Sequence, residues 1–425
     1  MSGHDEPLKI LGRALERIED LLERLPLDVA KEVRLRIGTL RTILIDKRPP
    51  ALVLVGRRGA GKSSIVNALF GAKMAELGHV TAQTGRGRWY DYERQGAAMS
   101  ILDTRGLQEG SAPAEADPSA TALESIAVEL RTKSPDLVIF VAKATEVDAA
   151  IDPDLDALER VFDEVYRAHR TRPPLVVAVT HCDLLEPKSV RLHRHDEEPE
   201  DDVLEKLRHV SLAENALARG IDARAALRDR RVTVVGVSAY MSWRADGKLR
   251  TDERWRIEDL AVALFRNLPD AGRAELARAT QARIAQDELA STLTKATAAV
   301  CAAVAAAPIP VADIVPLTTL QAGLVAGIAW IGGRSLDKRG AVEFLASLGA
   351  NVGLAFALRE AVRALMKVVV PGGGAVVSAT IAFSGTIAVG AAARAYFIRG
   401  VSIDDARKAF RRGNKEKGTG SDPRE

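Results

Sequence analysis

The sequence predicts an α/β domain built on a mixed, mostly parallel sheet with helices on both faces, preceded by an all-α N-terminal segment and followed by an all-α C-terminal domain. Three observations lead there. Short, continuous apolar runs recur at 51–55 (ALVLV), 99–102 (MSIL), 136–142 (DLVIFVA), 174–180 (PLVVAVT) and 232–237 (VTVVGV), separated by helical or charged stretches. Runs of that length with apolar residues at every position suit strands buried on both faces, and their alternation with helices is the pattern of a parallel sheet. Before them, apolar residues fall at helical intervals; after them, the composition changes so sharply that Asp313 is the only charged residue between Lys295 and Arg334.

The first segment places Leu8, Leu11, Leu15, Ile18, Leu21 and Leu22, then Val29, Val33, Ile37, Leu40 and Leu44, on one helical face each. This spacing predicts two amphipathic helices broken at Pro26 and ended by Pro49 and Pro50. Residues 86–93 (RGRWYDYE) add an edge strand. The charged stretch 184–230, with RLHRHDEEPEDD inside it, reads as a solvated loop followed by a helix. A helix pair is expected over 256–290. The expected division is 1–49 for the N-terminal helices, 50–270 for the α/β domain, 271–400 for the apolar helical domain and 401–425 for a basic, disordered tail.

At 425 residues the chain is long enough for two or three structural units. Its 60 basic and 57 acidic residues nearly balance, so charge points to no specific nucleic-acid partner. The two cysteines, Cys182 and Cys301, are far apart and suit a reducing compartment. The acidic, interrupted first ten residues do not read as a secretory signal. His193 and His195 stand near acidic residues, but a solvated loop has the same composition.

The chemistry concentrates at three strand ends. ALVLV runs into GRRGAGKSS, which satisfies G-x-x-x-x-G-K-S from Gly56 to Ser63 and opens a helix. In such a loop the backbone N–H groups of Gly59, Ala60 and Gly61 cradle phosphate, Lys62 neutralises the β and γ phosphates, Ser63 ligates Mg²⁺ and Ser64 bonds the α phosphate. DTRG (103–106) follows MSIL, placing Asp103 to hold Mg²⁺ through water and the Gly106 amide to sense a γ phosphate. THCD (180–183) ends the strand PLVVAV. Asp183 can accept from guanine N1–H and the exocyclic amine, a donor pair adenine lacks, so it favours GTP and GDP over adenine nucleotides. Thr180 and His181 flank it, and Ser238 and Ala239 of VVGVSAY offer a backbone amide to the guanine carbonyl.

GRRGAGKSSIVNALFG, DTRG, THCD and SAY in this order resemble the Era-type branch of the P-loop GTPase superfamily over roughly residues 50–270. The resemblance implies a switch threonine that completes the Mg²⁺ shell in the GTP state; Thr84 is the choice and Thr81 the runner-up. It also makes Lys62, Thr84, Asp103 and Gly106 the catalytic set. Three departures stand out. His181 replaces the family's lysine, and its flat ring can stack on the purine instead. Leu107 follows DTRG where a water-orienting glutamine stands in Ras-type enzymes, with Gln108 one position off, so slow intrinsic hydrolysis is expected. Gly59 stands where potassium-activated relatives carry Asn.

The segments AAAPIPVADIVPLTTLQAGLVAGIAWIGG, LMKVVVPGGG and AARAYFIRG resemble the C-terminal domain of unknown function of YcjF-type bacterial inner-membrane proteins. The resemblance implies membrane association, and so a place in the bacterial cytoplasm at the inner-membrane face. Residues 312–332 and 375–393 are each near bilayer-spanning length, with GLVAG (323–327) as a small-residue packing face; a buried helical bundle has the same composition. Arg394, Arg399, Arg407, Lys408, Arg411 and Arg412 suit a cytoplasmic side. The expectation is a GTP-hydrolysing switch at a membrane, partnered by a second copy or an activating protein. A GTP/GDP-binding scaffold with negligible turnover and an ATPase or kinase are the alternatives.

Overall fold

The computed structural model describes residues 12–13, 15–16, 19, 27–74, 88–94, 96–103, 122–147, 151–306, 314–349 and 373–415. In chain order its main elements are α1 (Leu27–Leu44), β1 (Ala51–Val55), α2 (Lys62–Phe70), β2 (Arg88–Arg94), β3 (Ala97–Asp103), α3 (Ala122–Thr132), β4 (Leu137–Lys143), α4 (Asp152–His169), β5 (Leu175–Thr180), α5 (Glu200–Asp222), β6 (Arg231–Gly236), β7 (Met241–Trp243), β8 (Leu249–Asp252), α6 (Ile257–Asn267), α7 (Asp270–Thr280), α8 (Arg283–Ala306), α9 (Ile314–Ile331), α10 (Lys338–Gly349), α11 (Gly373–Phe397) and α12 (Ile403–Lys415). They form two compact units, residues 48–282 and residues 1–47 with 283–425.

The first unit is built on a six-stranded sheet of order β2-β3-β1-β4-β5-β6, parallel throughout except for the antiparallel edge strand β2. Every residue of β1 and β5 is buried, which is why those strands read as unbroken apolar runs. On β2 exposed and half-buried positions interleave, as on an edge strand. Helix α4 presents Leu155, Leu158, Val161, Phe162 and Val165 to the core at helical spacing. The unit reaches residue 282 rather than the expected 270 because α7 closes the lower end of β3: the Glu275 carboxylate accepts from the Ala98 amide at 2.9 Å and Arg278 donates to Gly96 O at 3.0 Å. The hairpin β7-β8 was not anticipated from the sequence.

The stretch 184–230 differs in part from the expectation. Residues 192–197 form a short 3-10 helix, mostly exposed but with Leu192 in the core, and the expected helix follows as α5, which buries Val203, Lys206, Val210, Ala213, Leu217 and Ile221 along one stripe, most of these side chains belonging to the core of the sheet. The periodicity was masked by the lysine in the stripe and by the three acids that open the helix.

The second unit is all helix among the described residues. Helix α1 buries Ala30, Val33, Ile37, Leu40 and Leu44 and packs on α8, so the second expected N-terminal helix shares a core with the C-terminal region; of the first expected helix only scattered residues are described. Helices α8, α9 and α11 pack mutually, and Leu320 and Ala322 to Ile331 of α9 are almost wholly buried, Gly323 and Gly327 included. The one described helix long and apolar enough to cross a bilayer, by length and composition alone, is α8, and 56% of its apolar window is buried. Asp287 on α8 accepts from Arg394 at 3.0 Å and from Arg399 at 3.2 Å.

At the α8–α11 crossing Gly390 lies so close to Thr294 that an added Cβ would stand 2.8 Å from the threonine Cβ and nearer still to its methyl and hydroxyl. Gly390→Ala should therefore destabilise the helical unit by about 2 kcal/mol in urea denaturation, as overpacking does, and Thr294→Ala in the same chain should recover part of the loss.

Candidate nucleotide-binding site

The three motifs meet at the carboxyl ends of adjacent parallel strands. Pairing of Leu54 with Asp103 and of Lys143 with Thr180 brings the ends of β3, β1, β4 and β5 into line, the edge at which open α/β sheets bind ligands. Asp103 is the last residue of β3 and stands beside β1 just before the phosphate loop; Thr81, Thr84, Gly106, Leu107 and Gln108 lie outside the described residues, as does Asp313 in the helical unit.

The loop from Gly56 turns into α2 through Gly59 (φ +74°) and Gly61 (φ +93°), both in the left-handed region that a side chain would strain. Lys62 is buried and its ammonium folds back onto the loop, donating to Gly56 O at 2.9 Å and Arg57 O at 3.1 Å. Ser63 and Ser64 are half-buried in the first turn of α2. The α2 N-terminus adds its positive dipole end at the same place.

Thr180 ties this loop to the THCD segment. Its hydroxyl is buried, donates to Ala60 O at 2.7 Å and lies 2.9 Å from His181 Nδ1. The hydroxyl also lies 3.2 Å from Ala142 O; with its one proton on the Ala60 carbonyl it can accept from the imidazole in the tautomer that carries the ring proton on Nδ1. Burial pushes the His181 pKa down, against a smaller upward pull from Asp183, so the ring is neutral at pH 7. Its Cε1 would stand 3.4 Å from a Cβ on Gly61, so the ring lies against the phosphate loop. His181 takes a left-handed φ of 57° and opens the short 3-10 turn Cys182–Leu184, which carries Asp183. Cys182 is buried, its thiol pushed up to about 12 mainly by burial, and its amide donates to Val237 O at 3.3 Å. This bond joins THCD to the strand end that leads to Ser238 and Ala239. Ser238 is held by paired backbone bonds with Trp255 at 3.1 and 3.0 Å, while its buried Oγ has no partner among the described residues.

Sequence reasoning missed several residues here. Lys143, paired with Glu146 at 2.8 Å, brings its Nζ to 3.8 Å from where a Cβ on Gly59 would sit. Asp154 of α4 is buried and ion-pairs with Arg57 of the phosphate loop at 2.5 Å. Burial raises the Asp154 pKa more than Arg57 lowers it. Neither contact with the phosphate loop is marked by a motif, because Lys143 and Gly59, like Asp154 and Arg57, are far apart in the chain. Among the described residues no cluster of His, Cys, Asp or Glu is arranged to hold a metal, His193 and His195 included.

Residues 50–220 match the AIG1 family model. The chain is similar to the tRNA modification GTPase MnmE of Xanthomonas campestris pv. campestris (strain B100), 31% identical over 162 residues, which are 37% of this chain and 32% of the relative. It is also similar to GTPase Der of Neisseria meningitidis serogroup B (strain ATCC BAA-335 / MC58), 32% identical over 91 residues, 21% of this chain and 16% of the relative. The chain thus spans about a third of these curated relatives or less. Among solved structures, Toc33 from Arabidopsis thaliana in complex with GDP and Mg²⁺ is 19% identical with a TM-score of 0.35, covering 60% of this chain and 94% of that one.

The Arg57–Asp154 pair yields a pH-dependent expectation. Arg57→Ala leaves a buried carboxylate unpaired, which costs about 3 kcal/mol at neutral pH. A carboxyl whose folded pKa is raised contributes stability that is present at low pH and is lost as pH rises through that pKa. The defect of the variant, measured by urea denaturation, should therefore be smaller at pH 5 than at pH 7.5.

The phosphate loop after β1, the acid-ended strand β3 and the THCD turn after β5, together with the match of residues 50–220 to the AIG1 family model, show that this chain carries a P-loop GTPase domain.

Proposed function

We propose that the chain is a slow GTP-hydrolysing switch that binds GTP and GDP with Mg²⁺ in this pocket, and that its GTPase domain belongs to the Era-type branch. The observation that supports the reading is the Thr180–Ala60 hydrogen bond, which joins the phosphate loop to the strand end that leads into the Asp183 turn. Lys62 and the loop amides bind the phosphates; the His181 ring flanks the purine and Asp183 accepts from its N1–H and exocyclic amine. The unpartnered Ser238 hydroxyl and the Ala239 amide stand on the purine side. Ser63 at the start of α2 and Asp103 at the end of β3 suit a hard cation, and Mg²⁺ there neutralises phosphate charge. Thr84 and Gly106 read the γ phosphate, and Leu107 in place of a water-orienting side chain keeps intrinsic turnover low.

The finer part of the proposal is that the helical unit, resembling the YcjF-type domain, attaches the switch to the cytoplasmic face of a bacterial inner membrane, alone or with a second copy or an activating protein. Support comes from the length and composition of α8. Several cations that would face lipid are engaged within the unit: Arg394 and Arg399 with Asp287, Arg407 with Asp404, and Lys408 with Asp405. Detergent-dependent extraction from cell membranes supports attachment; recovery of the whole chain in the low-salt soluble fraction counts against it.

Base recognition is tested at Asp183. Asparagine cannot accept from both guanine donors but can donate to the carbonyl that xanthine carries at the same position. Asp183→Asn should weaken GDP by about 100-fold, roughly 3 kcal/mol for charge-assisted bonds lost, and strengthen xanthosine diphosphate. Unchanged GDP affinity in the variant, or displacement of GDP by excess ATP from the wild type, would sink guanine specificity.

A further inference from the structure

Helix α5 holds one lysine where its apolar stripe would otherwise continue. Lys206 is fully buried, and its ammonium donates to three main-chain carbonyls: Asp183 O at 2.8 Å, Pro187 O at 3.1 Å and Val190 O at 2.8 Å. All three protons of the ammonium are thereby used, so the side chain has none left for a ligand. Its effect falls on the segment it grips. Three carbonyl oxygens converging on one point would repel one another in a buried site, and only a cation with three donors holds them there. The first of the three belongs to the base-reading residue itself.

Two turns further along the same face, Glu214 grips the neighbouring strand end: its carboxylate accepts from the Gly236 amide at 2.6 Å and from Arg256 at 2.9 Å. Gly236 lies two residues before Ser238, and Arg256 directly follows Trp255, which pairs with Ser238. One helix thus fastens the segments on both sides of the expected purine position. Burial draws the Lys206 pKa down, while the nearby Asp183, Glu186 and Glu198 carboxylates push it back up.

We propose that Lys206 is a positioning residue for base specificity: by gathering the carbonyls of residues 183, 187 and 190 it sets the turn from which the Asp183 carboxylate reads the guanine amine. This rests on the guanine-binding reading above. A group that only stabilises the fold would alter affinity for every nucleotide alike, whereas one that orients Asp183 acts on the part of binding that depends on the 2-amino group.

The test compares GDP with inosine diphosphate, which differs by loss of that amine, in the wild type and in Lys206→Met, a substitution of similar length without donors. The wild type should favour GDP by at least tenfold, and the variant should lose most of that preference while keeping inosine diphosphate affinity within about threefold, since a factor of ten is about 1.4 kcal/mol. An undiminished preference in Lys206→Met overturns the proposal and leaves guanine recognition standing; absence of preference in the wild type removes the base-reading role of Asp183 and the proposal with it. Should the variant not fold, hydrogen exchange of the nucleotide-free wild type decides. The amides of Leu184, Leu185 and Val190, which close the gripped turn, should exchange as slowly without GDP as with it, and rapid exchange without GDP overturns the proposal.

Discussion

The buried hydroxyl of Thr180 is the hinge on which the pocket's geometry depends. It holds Ala60 O at 2.7 Å from the end of β5. Because a trans peptide points its carbonyl and the following N–H in opposite directions, fastening Ala60 O toward β5 turns the Gly61 N–H away from β5. The same hydroxyl orders the imidazole of His181 and with it the start of the turn that carries Asp183. A single proton donor therefore relates the amides suited to phosphate with the carboxylate suited to a base. Excluded from water, the bond retains more of its strength than a surface bond would.

Much of this pocket is legible in the sequence because its components are local. A glycine-rich loop, an acid at a strand end and a T-x-x-D at another strand end announce themselves by spacing, and five of the six strands of the sheet follow from continuous apolar runs. What escaped is non-local. Lys206, Glu214 and Asp154 sit on helices and act on residues 16 or more positions away, so no short window of sequence contains both partners. One signal was available for Lys206: it interrupts a stripe otherwise made of Val203, Val210, Ala213, Leu217 and Ile221, and a lysine at a core position of a helix requires carbonyl or carboxylate partners. Reading 184–230 as a charged stretch averaged that signal away.

The apolar C-terminal region shows the opposite limit. Ala- and Gly-rich helices score alike whether lipid or protein surrounds them, and composition cannot separate the two. Packing is more informative. The small residues of GLVAG on α9 allow Leu293 and Leu44 to approach Gly327, where a Cβ would meet them at 3.1 and 3.3 Å. Close approach of this kind serves a bundle in water and a bundle in lipid equally. The Asp287 pair with Arg394 has a more definite consequence: it sets a partly buried charged contact between α8 and α11, which favours one register of the two helices.

On the proposed reading, the site divides its labour between parts that meet what GDP and GTP share and parts that meet what separates them. The loop from Gly56 to Ser64, the turn at 180–183 and the strand end at 238–239 are joined by hydrogen bonds made within the protein, through Thr180, Cys182, Lys206 and Glu214. Bonds of that kind suit a base and two phosphates that both nucleotides possess. A ligand shifts a conformational equilibrium only by its different affinity for the two states, so a preorganised base site confers affinity and specificity without favouring either nucleotide. Discrimination must then come from residues placed to meet the third phosphate, the role proposed for Thr84 and Gly106. On the proposed reading α5 would make the switch selective for guanine and leave the distinction between its two states to the segments that follow α2 and β3.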